Sequence, residues 1–193
     1  MKEHKLNLEY DFIQGYYLSD LSICDNLIKL HTNSQTVDGV CGIGVNKKIK
    51  DSKDLQLRPQ EIEFYTELKS YFNELKNVIE IYKKKYKYCS HDICQWAIDD
   101  NFNIQKYSPT QGYHAWHCEK SDILNARRHL VFMTYLNDVK QGGETEWFYQ
   151  KLKVKPEKGL TIIFPSEWTF THKGHTTIDE DKYIITGWYH FLK

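Results

Sequence analysis

Beyond Asn101 the hydrophobic pattern of the chain changes period, and no other feature of the sequence constrains the fold as strongly. The segments Asn103 to Ser108, Arg128 to Leu136, Leu152 to Val154, Leu160 to Pro165 and Lys182 to Phe191 are short and rich in β-branched and aromatic residues. Turn residues separate them. Gly142-Gly143 follows Tyr135-Leu136-Asn137-Asp138, and Pro156-Glu157-Lys158-Gly159 makes a second tight connection. Runs of this length and composition are strands. Strands that follow one another without helices between them pair as an antiparallel sandwich or jelly roll, not as a parallel α/β sheet.

The first hundred residues read as helix and loop. Ser19 stands where it would cap a helix whose stripe is Ile23, Leu27 and Leu30. Pro59 opens a longer helix in which Ile62, Tyr65, Leu68, Phe72, Leu75, Ile79, Tyr82 and Tyr86 recur at steps of three and four. A stripe that continuous needs a cover, and the face of a β-sheet is the natural one. The run Lys83-Lys84-Lys85-Tyr86-Lys87 sits at the end of this helix, where cations offset the macrodipole. Between the helices, residues 32–58 carry Gly39, Gly42 and Gly44 and then the basic stretch Lys47 to Lys53. A loop that long is either a lid over a site or a mobile connection. The expectation is one domain over residues 1–193, mainly β with N-terminal helices packed on one sheet. A helical and loop support covers about 1–100, and a double-stranded β-helix (jelly roll) over about 101–193 carries the site.

Composition narrows the partners. The 26 basic and 26 acidic side chains cancel, which argues against a protein that grips nucleic acid or an anionic membrane through bulk charge. No apolar run approaches the roughly 20 residues that span a bilayer. The start, Met1-Lys2-Glu3-His4-Lys5, is too charged for a secretory signal. Five cysteines, an odd number with no CxxC pair, suggest neither a disulfide framework nor a thiolate zinc site. A cytoplasmic protein with reduced thiols is expected, with no membrane and no nucleic-acid partner.

The nine histidines carry the chemical signal. His114, His117, His129, His172 and His175 lie in the strand region, and His117-Cys118-Glu119 forms an H-x-E triplet. In extended backbone, residues i and i+2 share a face, so both side chains reach one metal while Cys118 turns away. A shuffle of this composition yields about one such triplet, so the triplet alone says little. Its context says more: His172 follows His117 by 172 − 117 = 55 residues, and Lys182 follows His172 by 182 − 172 = 10. Two imidazoles and a carboxylate on one face of a metal leave adjacent positions open, the arrangement of non-haem Fe(II) oxygenases. Lys182 opens a strand in which Lys182, Ile184, Thr186 and Trp188 share a face, and a cation there suits an acidic cosubstrate. Alternatives stay open. His175 rivals His172 as the distal ligand, and the same donors suit a His2Glu zinc hydrolase. A jelly-roll binding module without turnover would keep the fold. Tyr107 and Tyr135 read equally well as core residues. The Arg127-Arg128 pair is either an anchor for an acidic group or solvated charge at a strand edge.

Taken in order, Tyr107, His117-Cys118-Glu119, Tyr135-Leu136-Asn137, Gly142-Gly143-Glu144-Thr145, His172 and Lys182 form a pattern. It resembles the Fe(II)/2-oxoglutarate-dependent dioxygenases of the prolyl 4-hydroxylase-like branch, from about Ile104 to Phe191 and more loosely in the helices. The resemblance implies that His117, Glu119 and His172 ligate Fe(II). It implies that Lys182, helped by the phenol of Tyr135, pairs with the C5 carboxylate of 2-oxoglutarate, and that Tyr107 lies near the C1 carboxylate. Trp188 and His114 would line the pocket. The activity implied is hydroxylation with O2, releasing succinate and CO2, with ascorbate as an optional reductant. The substrate implied is a peptidyl proline, with a free amino acid or other small molecule as the alternative. The chain departs from the pattern at Glu119, where the usual residue is Asp; the added methylene carries the carboxylate about 1.5 Å further out. A carboxylate is retained, unlike the halogenase variant, in which Gly or Ala vacates the position.

Overall fold

Among the described residues every strand ladder is antiparallel. The structure, a computed structural model, describes residues 3–4, 12–42, 44–90 and 94–192. In chain order the main elements are β1 (Gln14–Tyr17), α1 (Ser22–Asn33), β2 (Lys53–Leu57), α2 (Thr66–Lys85), β3 (Phe102–Tyr107) and β4 (Tyr113–His117). They continue with β5 (Arg128–Tyr135), β6 (Thr145–Trp147), β7 (Leu152–Val154), β8 (Leu160–Pro165), β9 (His172–Gly174) and β10 (Lys182–Phe191). The major sheet runs β1–β8–β5–β10–β3–β2, with two-residue strands Glu3–His4 and Val37–Asp38 at its edges and Trp96–Ala97 paired to β10. The minor sheet runs β7–β6–β9–β4. This is the expected double-stranded β-helix.

Side-chain alternation gives the major sheet two working faces. In β5, Leu130 and Phe132 pack with the helices, whereas Val131, Met133 and Tyr135 pack between the sheets. In β10, Ile185 and Tyr189 face the helices, and Lys182, Ile184, Thr186 and Trp188 line an internal cavity. Ile23, Cys24 and Leu27 of α1 and Leu68, Tyr71, Leu75, Val78, Ile79 and Tyr82 of α2 bury themselves on the outer face. Each of the large apolar side chains contributes about 1.5–3 kcal/mol by leaving water. The Tyr71 hydroxyl bonds that of Thr134 in β5 at 2.9 Å, so α2 is fixed to the sheet by a polar contact as well. Among the described residues, no helix is long and apolar enough to cross a membrane.

Three local expectations are corrected. Ser19 does not cap α1: its N–H donates to Glu74 of α2, and the Asp20 carboxylate accepts from Ser22 N–H at 2.9 Å, so the helix starts at Ser22. Pro59 opens a short 3-10 turn, Pro59–Glu63, and α2 begins only at Thr66. Tyr65, in extended backbone just before the helix, falls out of the apolar stripe, and Tyr71 and Val78 belong to the buried face as well. Residues 32–58 are not an irregular loop. They contain β2, a central-sheet neighbour of β3, and a small hairpin of Val40–Cys41 against Gly44–Val45. The first hundred residues therefore supply sheet strands as well as support.

Gly187 shows how tightly the helix-side face is packed. A Cβ there would stand 2.6 Å from Phe132 Cζ and 2.7 Å from Phe102 Cβ, and Phe72 of α2 meets the Phe102 ring edge-on at 4.8 Å. Gly187→Ala should cost about 1–3 kcal/mol through overpacking. The expected readout is a lower urea midpoint with an unchanged m-value; an unshifted midpoint would contradict this account of the packing.

Candidate metal and cosubstrate site

Strand register brings the two distant histidines together. β9 pairs with β4 so that His172 lies opposite His117, and their ring centroids are 4.3 Å apart. Along β4, Tyr113 and His117 face the cavity, while His114 and Trp116 point out to solvent. β4 ends at His117, and Glu119 sits in the bend that follows. Its Oε1 lies 3.5 Å from His117 Nε2 and 3.4 Å from His172 Nε2. The three donor atoms all fall within 4.8 Å of one another.

The donor set fits a divalent transition metal. His117 Nδ1 is 3.0 Å from the Ala115 carbonyl and His172 Nδ1 is 2.9 Å from that of Phe170. A carbonyl only accepts, so both Nδ1 atoms carry hydrogen and both Nε2 lone pairs face the carboxylate. Burial, together with the neighbouring His172, holds His117 below its ordinary value and favours the neutral ring. Three lone-pair donors thus converge on one point with their outer atoms fixed by backbone carbonyls, as metal-ligating histidines require.

A second polar centre lies at the other end of the same cavity, whose volume is about 360 Å³. Lys182 pairs across the ladder with Tyr107, and its ammonium stands 4.8 Å from the Tyr107 ring centroid. Nζ donates to the Gly143 carbonyl at 3.0 Å, and burial pulls the group down to about 8. The Gly142-Gly143 turn presents that carbonyl: both residues have positive φ (78° and 74°), and a Cβ on Gly142 would come within 2.2 Å of Thr176 O. Tyr107 lines the cavity and donates to Gln105 Oε1 at 2.8 Å. Tyr135 is fully buried, and its phenol donates to Thr145 Oγ1 at 2.7 Å, so the hydroxyl at the cavity wall is that of Thr145. Trp188 lines the cavity and donates from Nε1 to Glu119 Oε2 at 3.0 Å.

The rival histidine His175 is elsewhere: its Nε2 is 2.5 Å from Glu146 Oε2, outside the converging cluster. Arg127 pairs with Asp99 at 2.7 Å, whereas Arg128 turns into the cavity. Cys118 also borders the cavity, and burial pushes its thiol up. Two features escaped the sequence reading. Tyr113 stacks flat on His117, with centroids 3.6 Å apart and planes 8° from parallel; its place four residues before His117 on one strand face was the available signal. Lys50 and Asp54 form a buried ion pair at 2.6 Å in the cavity wall. The pairing of β2 with β3 places Asp54 and a bridge to Tyr113 places Lys50, and no motif announces either.

Residues 102–190, just under half of the chain, match the model of the 2OG-Fe(II) oxygenase superfamily. The resemblance to its prolyl 4-hydroxylase-like branch therefore holds. In particular, the chain is 30% identical over 115 residues to prolyl 4-hydroxylase 13 of Arabidopsis thaliana, covering 46% of this chain and 42% of that one. It thus spans under half of that relative's length. Among solved structures it is similar to the viral collagen prolyl hydroxylase of Paramecium Bursaria Chlorella virus-1 in its 2OG complex. That likeness has a TM-score of 0.68 at 20% identity, over 96% of this chain and 99% of the other. It is similar also to a Trichoplax adhaerens prolyl hydroxylase complexed with a peptide fragment of hypoxia inducible factor. There the TM-score is 0.73 at 15% identity, over 93% of this chain and 84% of that one. At these identities the solved structures speak for the fold.

The depressed Lys182 has a signature in stability. Unfolded, a lysine keeps its proton to its ordinary value of 10.5; folded, Lys182 releases it near 8. Between those values the unfolded chain binds more protons, so folding stability gains as pH rises. Urea unfolding from pH 7 to 10 should show wild type gaining on Lys182→Met across that window. Parallel pH profiles would contradict the burial-shifted ammonium.

Proposed function

We propose that this protein is an Fe(II)- and 2-oxoglutarate-dependent oxygenase that hydroxylates its substrate and releases succinate and CO2. One observation carries the reading: three lone-pair donors from His117, Glu119 and His172 converge within 4.8 Å, with both Nδ1 hydrogens committed to backbone carbonyls. In this reading those three residues hold iron, which when bound would supply the redox chemistry coupling 2-oxoglutarate decarboxylation, with O2, to substrate oxidation.

The rest of the site has matching tasks. The buried ammonium of Lys182 neutralises the far carboxylate of 2-oxoglutarate, and the Thr145 hydroxyl, held by Tyr135, stands in the same cavity. Tyr107 flanks that ammonium and closes the cavity beside it. A His2Glu zinc hydrolase would use the same three donors but leaves a buried lysine without an anion to meet. The relatives are named prolyl hydroxylases, and one was solved with a peptide, so a peptidyl proline is the first substrate to test and a free amino acid the second. All five cysteines are free thiols, which supports a reducing compartment, the cytoplasm in our reading. Ascorbate belongs in the assay as a reductant.

Succinate formation from 2-oxoglutarate, measured with Fe(II), O2 and a panel of prolyl peptides and amino acids, tests the reading. His172→Ala should abolish turnover. Lys182→Ala should raise the KM for 2-oxoglutarate by about tenfold to a hundredfold, the worth of a charge-assisted hydrogen bond of about 1.5–3 kcal/mol. Zinc-supported hydrolysis without succinate would overturn the proposal.

A further inference from the structure

The two carboxylate oxygens of Glu119 meet different partners. Oε1 faces the Nε2 atoms of His117 and His172 at 3.5 and 3.4 Å. Oε2 accepts the indole N–H of Trp188 at 3.0 Å and lies 3.4 Å from Arg128 Nη1. The same Nη1 donates to the backbone carbonyl of Glu119 at 2.9 Å, so Arg128 holds the residue at both ends. Arg128 is itself held: its guanidinium carbon lies 3.6 Å from the centroid of the Trp188 ring, a stacked geometry that fixes the plane of the fork. Trp188 comes from β10 and Arg128 from β5, adjacent strands of the major sheet, whereas His117 and His172 come from the minor sheet. Glu119 is therefore gripped from both sheets.

A glutamate needs such a grip more than an aspartate would. It has one more rotatable bond, and its carboxylate reaches about 1.5 Å further from the backbone. Left free, that longer arm would offer a cation one oxygen or two and would spend rotamer freedom on settling. With Oε2 occupied by two donors, Oε1 alone is turned to the histidines.

We propose that Arg128 and Trp188 are positioning residues that clamp Glu119 by its outer oxygen and make it a one-oxygen metal ligand; the inference rests on reading the cluster as a metal centre. The clamp answers the substitution that sets this chain apart from its family's pattern. It also gives the cavity-facing indole and guanidinium a task that does not require contact with cosubstrate.

Cobalt(II) titration of the full chain, followed by calorimetry and visible absorption and needing no turnover, tests the clamp. Trp188→Phe keeps the ring and the stacked arginine but removes the N–H. It should weaken Co(II) binding by about 10–100-fold and alter the cobalt absorption as the second oxygen becomes free to ligate. Glu119→Asp draws the carboxylate back from the indole, so adding Trp188→Phe in that background should cost nothing further. Wild-type affinity in Trp188→Phe, or an equal loss whether Trp188→Phe is made in wild type or in Glu119→Asp, would overturn the clamp while leaving the metal centre intact. Should Trp188→Phe not fold, Arg128→Lys removes the stacked fork instead, and it must weaken Co(II) in wild type but not in Glu119→Asp. Failure of wild type to bind Co(II), or undiminished binding in Glu119→Ala, is a different result and removes the metal centre itself.

Discussion

The ladder between β9 and β4 is the constraint on which the site depends, because it sets His172 across from His117 although 172 − 117 = 55 residues separate them in the chain. Strand pairing has a side-chain period of two, so a slip of one residue would send either imidazole to the opposite face of the minor sheet. The fold guards the register from several directions. β6 pairs with the other edge of β9 and sets Trp147 beside His172. The buried Trp147 ring stands 5.9 Å from that of His172 and 5.2 Å from that of Phe164 in the major sheet. A second register, β10 on β3, sets Lys182 opposite Tyr107. Two ladders thus define the two ends of the cavity.

Between those ends the protein keeps several charges away from water, and each has a local answer. Lys50 meets Asp54, which also accepts from Ser52 Oγ at 2.7 Å. Glu119 is held by Arg128 and Trp188 on one oxygen and faces two imidazoles with the other. Lys182 has backbone carbonyls but no carboxylate within ion-pair distance among the described residues, and its ammonium is correspondingly easier to discharge. In the proposed reading the asymmetry has functional content: the paired charges shape the wall, and Lys182 is the cation left to meet an anion. Desolvated charges are costly to maintain, and the two helices offset part of that cost by covering the opposite face of the major sheet with apolar surface.

How much was readable in the sequence follows from element length. β5 and β10 run for eight and ten residues, long enough to display alternation, and both stand where the pattern put them. β6 and β9 have three residues each and β1 four, too few for a period to be visible; β7, equally short, was legible through its composition and the turn residues around it. β2 hid inside a glycine-bearing, basic segment, because its pairing with β3 is a tertiary fact and leaves no local mark. Helix starts failed for a related reason: Ser19 is tied to Glu74 of α2, and Asp20, not Ser19, accepts from the N–H of Ser22 at the start of α1. In the site, motif order led to His117, Glu119 and His172, which the fold gathers into one cluster. The Thr145 hydroxyl in front of Tyr135, Tyr113 against His117 and the inward turn of Arg128 depend on register and rotamer, which spacing does not carry.

One claim is central: paired strands build a metal and 2-oxoglutarate centre out of His117, Glu119, His172 and Lys182. Anaerobic titration of the protein with Fe(II) and 2-oxoglutarate, followed by visible absorption, tests it most directly. The expected result is a weak, saturable charge-transfer band that is absent in His172→Ala and reduced in Lys182→Ala. No band in the wild-type protein, or a band of full strength in His172→Ala, would contradict it.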